Sequence, residues 1–348
     1  MLSVYVGKLL PPRFHHLEFL YPNLGFSAET NSFNEPNPFL NVGPIVRTVN
    51  SPYEADAYLL PYGVKMAEAQ GSYLAEFLRV VEEVPKPLIV CSYGDSPEPS
   101  SILANVVLRT SAYRSTLAKN EILVPPHIPD LGKLYGILQK QKEEIPTVAF
   151  CGYAAFPSIK SRIKFLYKDT LAGIGSIFSD SIAVHRQGIY FRQKAMSVLS
   201  NSSRIQTKFI TRSFYSGSQK TIGMDPKIAR KEYIENMQSS DLALAPKGDG
   251  NYSLRFYEAL SLGRIPILID TDTPLPGDDN WYKDVILRVS WKDIDKLPQI
   301  VIDWFNSISN DEFVAMQERA RALFAERLFA PRFYTELFAD IERRIRTT

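Results

Sequence analysis

The stretch whose residue types and spacing best suit chemistry is Asp241–Asp270, DLALAPKGDGNYSLRFYEALSLGRIPILID. An apolar run leads into a turn with Gly248 and Gly250, a helical pattern opens near Ser253, and a second apolar run follows. Glycines allow close backbone approach, and Ser253 is a natural helix cap. Free N–H groups and the positive end of the helix dipole make such a turn a ready anion site. Lys247 and Arg255 add fixed positive charge, and Asn251 sits in the same turn. Arg255 and Glu258 stand one helical turn apart, so both can reach one ligand. The plainer alternative is an ordinary strand–turn–helix unit with Arg255 and Glu258 as a surface ion pair. The pattern is not a Walker loop, because no Gly-Lys-Ser/Thr follows. It is not GxGxxG either, which disfavours a dinucleotide oxidoreductase.

Other candidates are spread along the chain. Asp95, in Cys91-Ser92-Tyr93-Gly94-Asp95-Ser96-Pro97, lies just past an expected strand end. It is a candidate general base for an acceptor hydroxyl, or else an Asx-turn residue before Pro97. His15 is the second candidate base, alongside His16, and both also read as surface imidazoles. His127 and His185 are isolated and read as structural. Arg212, ending an expected strand, is a candidate pyrophosphate contact. Four scattered His and two distant Cys give no zinc-type spacing, so no metal site is expected. Asp270-Thr271-Asp272 imitates a manganese-binding DxD, but the following Pro274 favours a turn.

These residues need a scaffold, and β-rich apolar runs alternating with amphipathic stretches predict βαβ units around parallel sheets. Expected strands are Ser3–Val6, Ala57–Leu60, Leu88–Cys91, Val106–Leu108 and Ile122–Val124 in the first half. In the second half they are Thr147–Cys151, Ile182–Val184, Lys208–Thr211, Asp241–Ala245, Ile265–Ile269 and Val285–Val289. Helices are expected at Val64–Val81, Lys227–Met237 and Ser253–Leu262, and at the end at Ile294–Ile308, Glu312–Leu328 and Phe333–Ile345, with a break at Pro331. Tyr21–Pro44 holds five Asn and four Pro in 24 residues and reads as a long functional loop. The charged run Gln139–Glu144 before Pro146 marks a boundary, giving units 1–144 and 145–348.

Composition agrees with two such units. A length of 348 residues suits two domains, and 45% hydrophobic with 22% charged residues excludes disordered, collagen-like and coiled-coil chains. A net charge of +2 without a basic tract gives no general attraction to nucleic acid. Cys91 and Cys151 are the only cysteines, so a reducing compartment is expected. No run reaches the 18 apolar residues of a membrane span. The expectation is a cytoplasmic protein, or a chain separated from its anchor, with peripheral membrane contact left open.

A resemblance adds to this reading. Ser239, Leu242, Pro246, Gly248, Ser253-Leu254-Arg255-Phe256-Tyr257-Glu258-Ala259-Leu260 and Gly263-x-Ile265-Pro266 resemble the signature of exostosin-like glycosyltransferases. Leu275-Pro276 and Trp281 follow in family order. Val4-Tyr5-Val6 with Leu10-Pro11-Pro12-Arg13-Phe14, Glu54-Ala55-Asp56-Ala57 with Leu60-Pro61, and Phe150-Cys151-Gly152 with Arg162 resemble further family blocks. The chain departs at Lys8-Leu9-Leu10, where the family often has Asp before Leu-Pro-Pro, and at Tyr153, where it often has Arg. The resemblance implies a GT-B-like α/β fold: two doubly wound Rossmann-like domains facing a central cleft, the acceptor on the first and the nucleotide-sugar on the second. It also implies inverting transfer from a nucleotide-sugar, with a UDP-sugar expected, to a glycan acceptor. The expected setting is polysaccharide or surface-glycan synthesis, with no metal or other cofactor.

The donor-side candidates are then Arg212, Lys247, Gly248, Gly250, Asn251, Ser253, Arg255 and Glu258, with Asp95 and His15 as candidate bases. A competing expectation is a non-catalytic carbohydrate-binding protein that retains the fold. A phosphatase or nucleotidyl enzyme lacks the metal ligands such chemistry uses.

Overall fold

The computed structural model describes residues 1–26, 28–31, 33–156, 158–160, 162–163, 165–167, 183–215 and 223–347. The first sheet contains β1 (Ser3–Tyr5), β2 (Arg47–Val49), β3 (Ala57–Gly63), β4 (Leu88–Ser92), β5 (Val106–Arg109) and β6 (Glu121–Leu123). Its order is β2-β1-β3-β4-β5-β6, with every pairing parallel. The second contains β7 (Thr147–Tyr153), β8 (Gln206–Arg212), β9 (Leu242–Leu244), β10 (Ile265–Asp270) and β11 (Leu287–Ser290), in the order β11-β10-β9-β7-β8, again all parallel. The two parallel-sheet α/β units expected from the sequence are therefore present.

Strands covered on both faces must be apolar throughout, which is why β3, β7 and β10 read as continuous hydrophobic runs and are buried along almost their whole length. At the edge, β8 is mostly half-buried, and Lys208 on it donates to the Ser239 carbonyl at 2.7 Å. In each sheet the strand order reverses once, between β1 and β3 and between β7 and β9. Beyond the carboxyl ends of strands at such a reversal lies a crevice.

Several local expectations change. The helix expected over Val64–Val81 is two helices, Val64–Ala69 and Gly71–Glu83, parted at Gln70, whose φ of −112° and ψ of 60° are not helical. Strand β2 was not foreseen; it follows the long loop and pairs with β1. Of the expected strand Ile182–Val184, Ala183 and Val184 are helical, and Ile182 lies outside the described residues. The break expected at Pro331 falls at Phe329, whose φ of −63° and ψ of 116° are not helical, and Pro331 sits in the first turn of Ala330–Thr347, where its missing N–H is harmless.

That last helix crosses back to the first sheet. It falls within the unit expected at 145–348, yet Tyr334, Phe338 and Ile341 form a stripe buried with Leu2, Val4, Phe19 and Phe39. Tyr334 stacks on Phe19 at 4.8 Å and shares a hydrogen bond with the Tyr93 hydroxyl. The second core is built from Phe150, Leu242, Leu244, Ile265, Ile267 and Phe305, with Phe191 and Phe313 from flanking helices. Among the described residues no helix is long and apolar enough to cross a membrane.

The two units also meet through a dense polar seam. Buried Asn251 donates its N–H to Ser111 Oγ at 3.0 Å and its Nδ2 to the Ala112 carbonyl at 2.9 Å, while Thr271 Oγ1 donates to its Oδ1 at 2.7 Å. Gly250 lies so close to the first domain that a methyl group there would stand 2.8 Å from both Cα and O of Asp95. Of the Asp270-Thr271-Asp272 segment expected to be a turn, Asp270 ends β10 and Thr271 and Asp272 form a bend beyond it, with the Thr273 N–H donating to Asp270 Oδ1 at 2.8 Å. Asp272 has φ of 62° and accepts hydrogen bonds from Ser115 N and Oγ.

Candidate functional site

A cleft of about 430 Å³ opens at the reversal point of the second sheet. The end of β7 lines one side with Phe150, Cys151, Gly152 and Tyr153. The turn after β9 and the start of helix Leu254–Ser261 bring Gly248, Ser253, Arg255 and Glu258, while Asp95 enters from the first domain. The helix begins here because Ser253 is extended, with φ of −135° and ψ of 119°. Its side chain makes no capping hydrogen bond, so the expected Ser cap is one of position only.

Arg255 is held in place by its surroundings. Nη2 donates to the Cys151 carbonyl at 2.5 Å, and the guanidinium carbon lies 4.1 Å from the Phe150 ring centroid. A methyl group on Gly152 would stand 2.8 Å from Nη2, so the absence of a side chain at that position admits the arginine. Its Nε is buried with no hydrogen-bond partner. A buried N–H without an acceptor costs free energy unless something accepts from it.

Glu258 is not the partner of Arg255. Its Oε1 accepts from Arg230 Nη1 at 2.7 Å and its Oε2 from the Tyr233 hydroxyl at 2.6 Å. Arg230, in helix Pro226–Gln238, also binds Glu35 through Nε at 2.7 Å and Nη2 at 3.1 Å. All three guanidinium nitrogens are thus engaged, and both carboxylates are buried. Burial lowers the Arg230 charge preference, but Glu258 and Glu35 outweigh it and hold the guanidinium firmly protonated. On another part of the wall, the Tyr153 and Tyr215 rings lie 4.7 Å apart, and the Tyr215 hydroxyl donates to Asp249 at 2.8 Å.

Of the residues singled out in the sequence, Asp95, Gly248, Ser253, Arg255 and Glu258 line the cleft. Asp95 is exposed. Five others do not line it. His15 is exposed on the turn after β1. Arg212 is buried behind the wall, donating to the Ala229 carbonyl at 3.1 Å and pairing with Glu232 at 2.5 Å. Lys247 turns inward, donating to the Val184 carbonyl at 2.5 Å and lying over the Tyr113 and Phe191 rings. Burial pushes its ammonium down to about 7. Gly250 and Asn251 serve the seam between the units. The second candidate imidazole of the first turn, His16, bonds the Gly25 carbonyl, and His127 pairs with Glu18 at 2.8 Å.

Sequence reasoning missed Phe33, Glu35, Arg230 and Tyr233. Arg230 and Tyr233 sit one turn apart on a largely polar helix, and nothing in their spacing announces Glu35 as a partner.

Residues 179–321 match the family model described as the RXYLT1 C-terminal domain. That span contains Arg230, Arg255 and Glu258. Among solved structures the chain is similar to a glycosyltransferase from Rickettsia africae ESF-5, at 14% identity over 84% of this chain and 77% of that one, with a TM-score of 0.40. It is similar to the catalytic domain of starch synthase IV from Arabidopsis thaliana bound to ADP and acarbose, at 11% identity over 84% and 73%, with a TM-score of 0.39. S. aureus MnaA with UDP gives 9% identity over 97% and 95%, with a TM-score of 0.36. No curated protein matches the chain.

Proposed function

We propose that this protein is an inverting glycosyltransferase that moves a sugar from a nucleoside-diphosphate donor, a UDP-sugar, to a glycan acceptor in surface-glycan or polysaccharide synthesis. The observation that carries the reading is Arg255, pinned at the reversal point of a parallel sheet with a buried N–H unanswered, one turn from a carboxylate whose orientation is fixed by Arg230 and Tyr233. The match of residues 179–321 to a glycosyltransferase family model supports it.

A diphosphate at the mouth of helix Leu254–Ser261 gains from the helix dipole and from Arg255. Each oxygen of Glu258 accepts one hydrogen bond within the protein and retains a lone pair for a ribose hydroxyl. As the glycosidic bond breaks, negative charge grows on the leaving diphosphate, and Arg255 stabilises that charge more in the transition state than in the ground state. Asp95, reaching the cleft from the other domain, is the group we assign to take the acceptor's proton. We further propose that positive side chains, rather than a divalent metal, neutralise the diphosphate. The two unpaired, buried cysteines support a reducing compartment such as the cytoplasm.

Thermal unfolding with UDP, GDP and ADP tests the reading, because a ligand of the native state raises Tm by mass action. A rise with one of them is expected. No shift with any at millimolar concentration removes the proposal.

A further inference from the structure

We propose that the first domain supplies one wall of the nucleoside subsite, with the segment around Asn31 and Glu35 offering Phe33 as a face for the donor's base and fixing Glu258 through Arg230. The proposal rests on the nucleoside-diphosphate reading above and extends it to residues of the other domain.

Residues 30–31 and 33–36 form a built feature in the stretch expected to be all loop, which in fact opens on a short helix at Tyr21–Leu24. Thr30 and Pro36 form an antiparallel bridge, and the Asn31 N–H donates to the Glu35 carbonyl at 2.9 Å. Asn31 Oδ1 accepts from the N–H of Phe33 at 2.9 Å and of Glu35 at 3.0 Å, so one short side chain sets the direction of both residues. Asn34 occupies the left-handed region, with φ of 62°, which asparagine tolerates better than most residues.

From this turn Glu35 reaches the second domain. Its carboxylate takes the two Arg230 bonds together with Asn31 Nδ2 at 2.8 Å and the Tyr135 hydroxyl at 2.7 Å. A planar guanidinium gripped by two parallel bonds has no rotational freedom, so Nη1 is aimed at Glu258 by a residue of the opposite domain. Phe33 lies over the same guanidinium at 4.7 Å and also lines the cleft.

A ribose held by Glu258 places its base among the neighbours of Glu258. Phe33 and Tyr233 are the flat aromatic side chains packed on Arg230 there. Stacking suits any base, because every base presents a π-face.

Titration calorimetry with UDP, GDP, ADP and inorganic pyrophosphate tests this on wild type, Phe33→Ala and Phe33→Trp. Pyrophosphate carries the charge but no base. Phe33→Ala should weaken the nucleoside diphosphates about tenfold while leaving pyrophosphate unchanged, and Phe33→Trp should restore the affinity. An equal loss for pyrophosphate makes Phe33 a structural wedge and overturns the proposal. Unchanged nucleotide affinity in Phe33→Ala does so too. A wild type that binds none of the three nucleotides instead removes the reading beneath it, so the two failures are separate results.

Discussion

Replacing Arg230 by Met removes the cation from a buried group of charges. The Arg230, Glu35 and Glu258 side chains are 5%, 4% and 10% exposed. Methionine fills part of the space without charge, leaving two carboxylates without their shared partner. Breaking a buried pair from one side costs about 3–5 kcal/mol, and that is the loss expected at neutral pH. The pH dependence gives the sign. Burial pushes the Glu35 carboxyl up, but hydrogen bonding and charge from Arg230, aided by Asn31 and Tyr135, outweigh it and hold the carboxyl below its ordinary range. The folded wild type therefore binds that proton less tightly than the unfolded chain does. Glu35 contributes stability above its unfolded value of about 4.3, and the contribution is lost as pH falls through the lower folded value. In Arg230→Met, burial is opposed only by Asn31 and Tyr135, so the carboxyl should move up and its contribution should fall as pH rises. The gap between the two proteins should thus be widest near neutrality and shrink towards about pH 4. Urea unfolding at pH steps between about 4 and 8 measures it. A gap below about 1 kcal/mol at neutrality, or one independent of pH, would refute the assignment of paired charges.

Gly250→Ala would set a methyl group 2.8 Å from Asp95 backbone atoms and 2.9 Å from Ser111 Oγ, so thermal unfolding should show a loss of about 1–3 kcal/mol as the domain seam is forced apart. Lys247 titrates at about 7 when folded and about 10.4 when unfolded, so the unfolded chain holds more protons between those values and stability rises with pH there. Lys247→Met should flatten that rise in denaturation series across the same range; an unaltered slope would contradict a desolvated ammonium. Asp95→Asn removes the carboxylate with little change of size and should lower kcat by about 10²–10⁴-fold with nucleotide affinity retained, whereas normal turnover would remove Asp95 as base. Turnover should survive EDTA; complete loss restored by Mn²⁺ would show that a metal, not Arg255, meets the diphosphate.

The seam and the Glu35–Arg230 bridge give the two domains a common dependence. Asn251 joins the turn after β9 to Ser111 and Ala112, while the last helix fastens the end of the chain into the first core. A substitution that loosens this seam should therefore alter the cleft without touching a cleft residue.

What could be read from sequence is what depends on neighbours along the chain. Continuous apolar runs specify strands buried on both faces, so β3, β7 and β10 were legible. Arg255 and Glu258 were placed on one side of one helix by its period alone, and both line the cleft. What the tertiary structure decided is where each charge finds its partner. Lys247 stands in the same turn as Gly248, yet its ammonium goes inward to Val184 and Tyr113, because the space around it is closed by Tyr113 and Phe191 from distant segments. Arg212 ends its strand as expected, but the helix packed beside it supplies Glu232 and the Ala229 carbonyl and draws the guanidinium away from the cleft. Glu35 and Arg230 are 195 residues apart, and their pairing follows from the docking of a loop on a helix of the other domain. Local periodicity cannot encode such a contact, because it exists only once both cores have formed and set the distance between them.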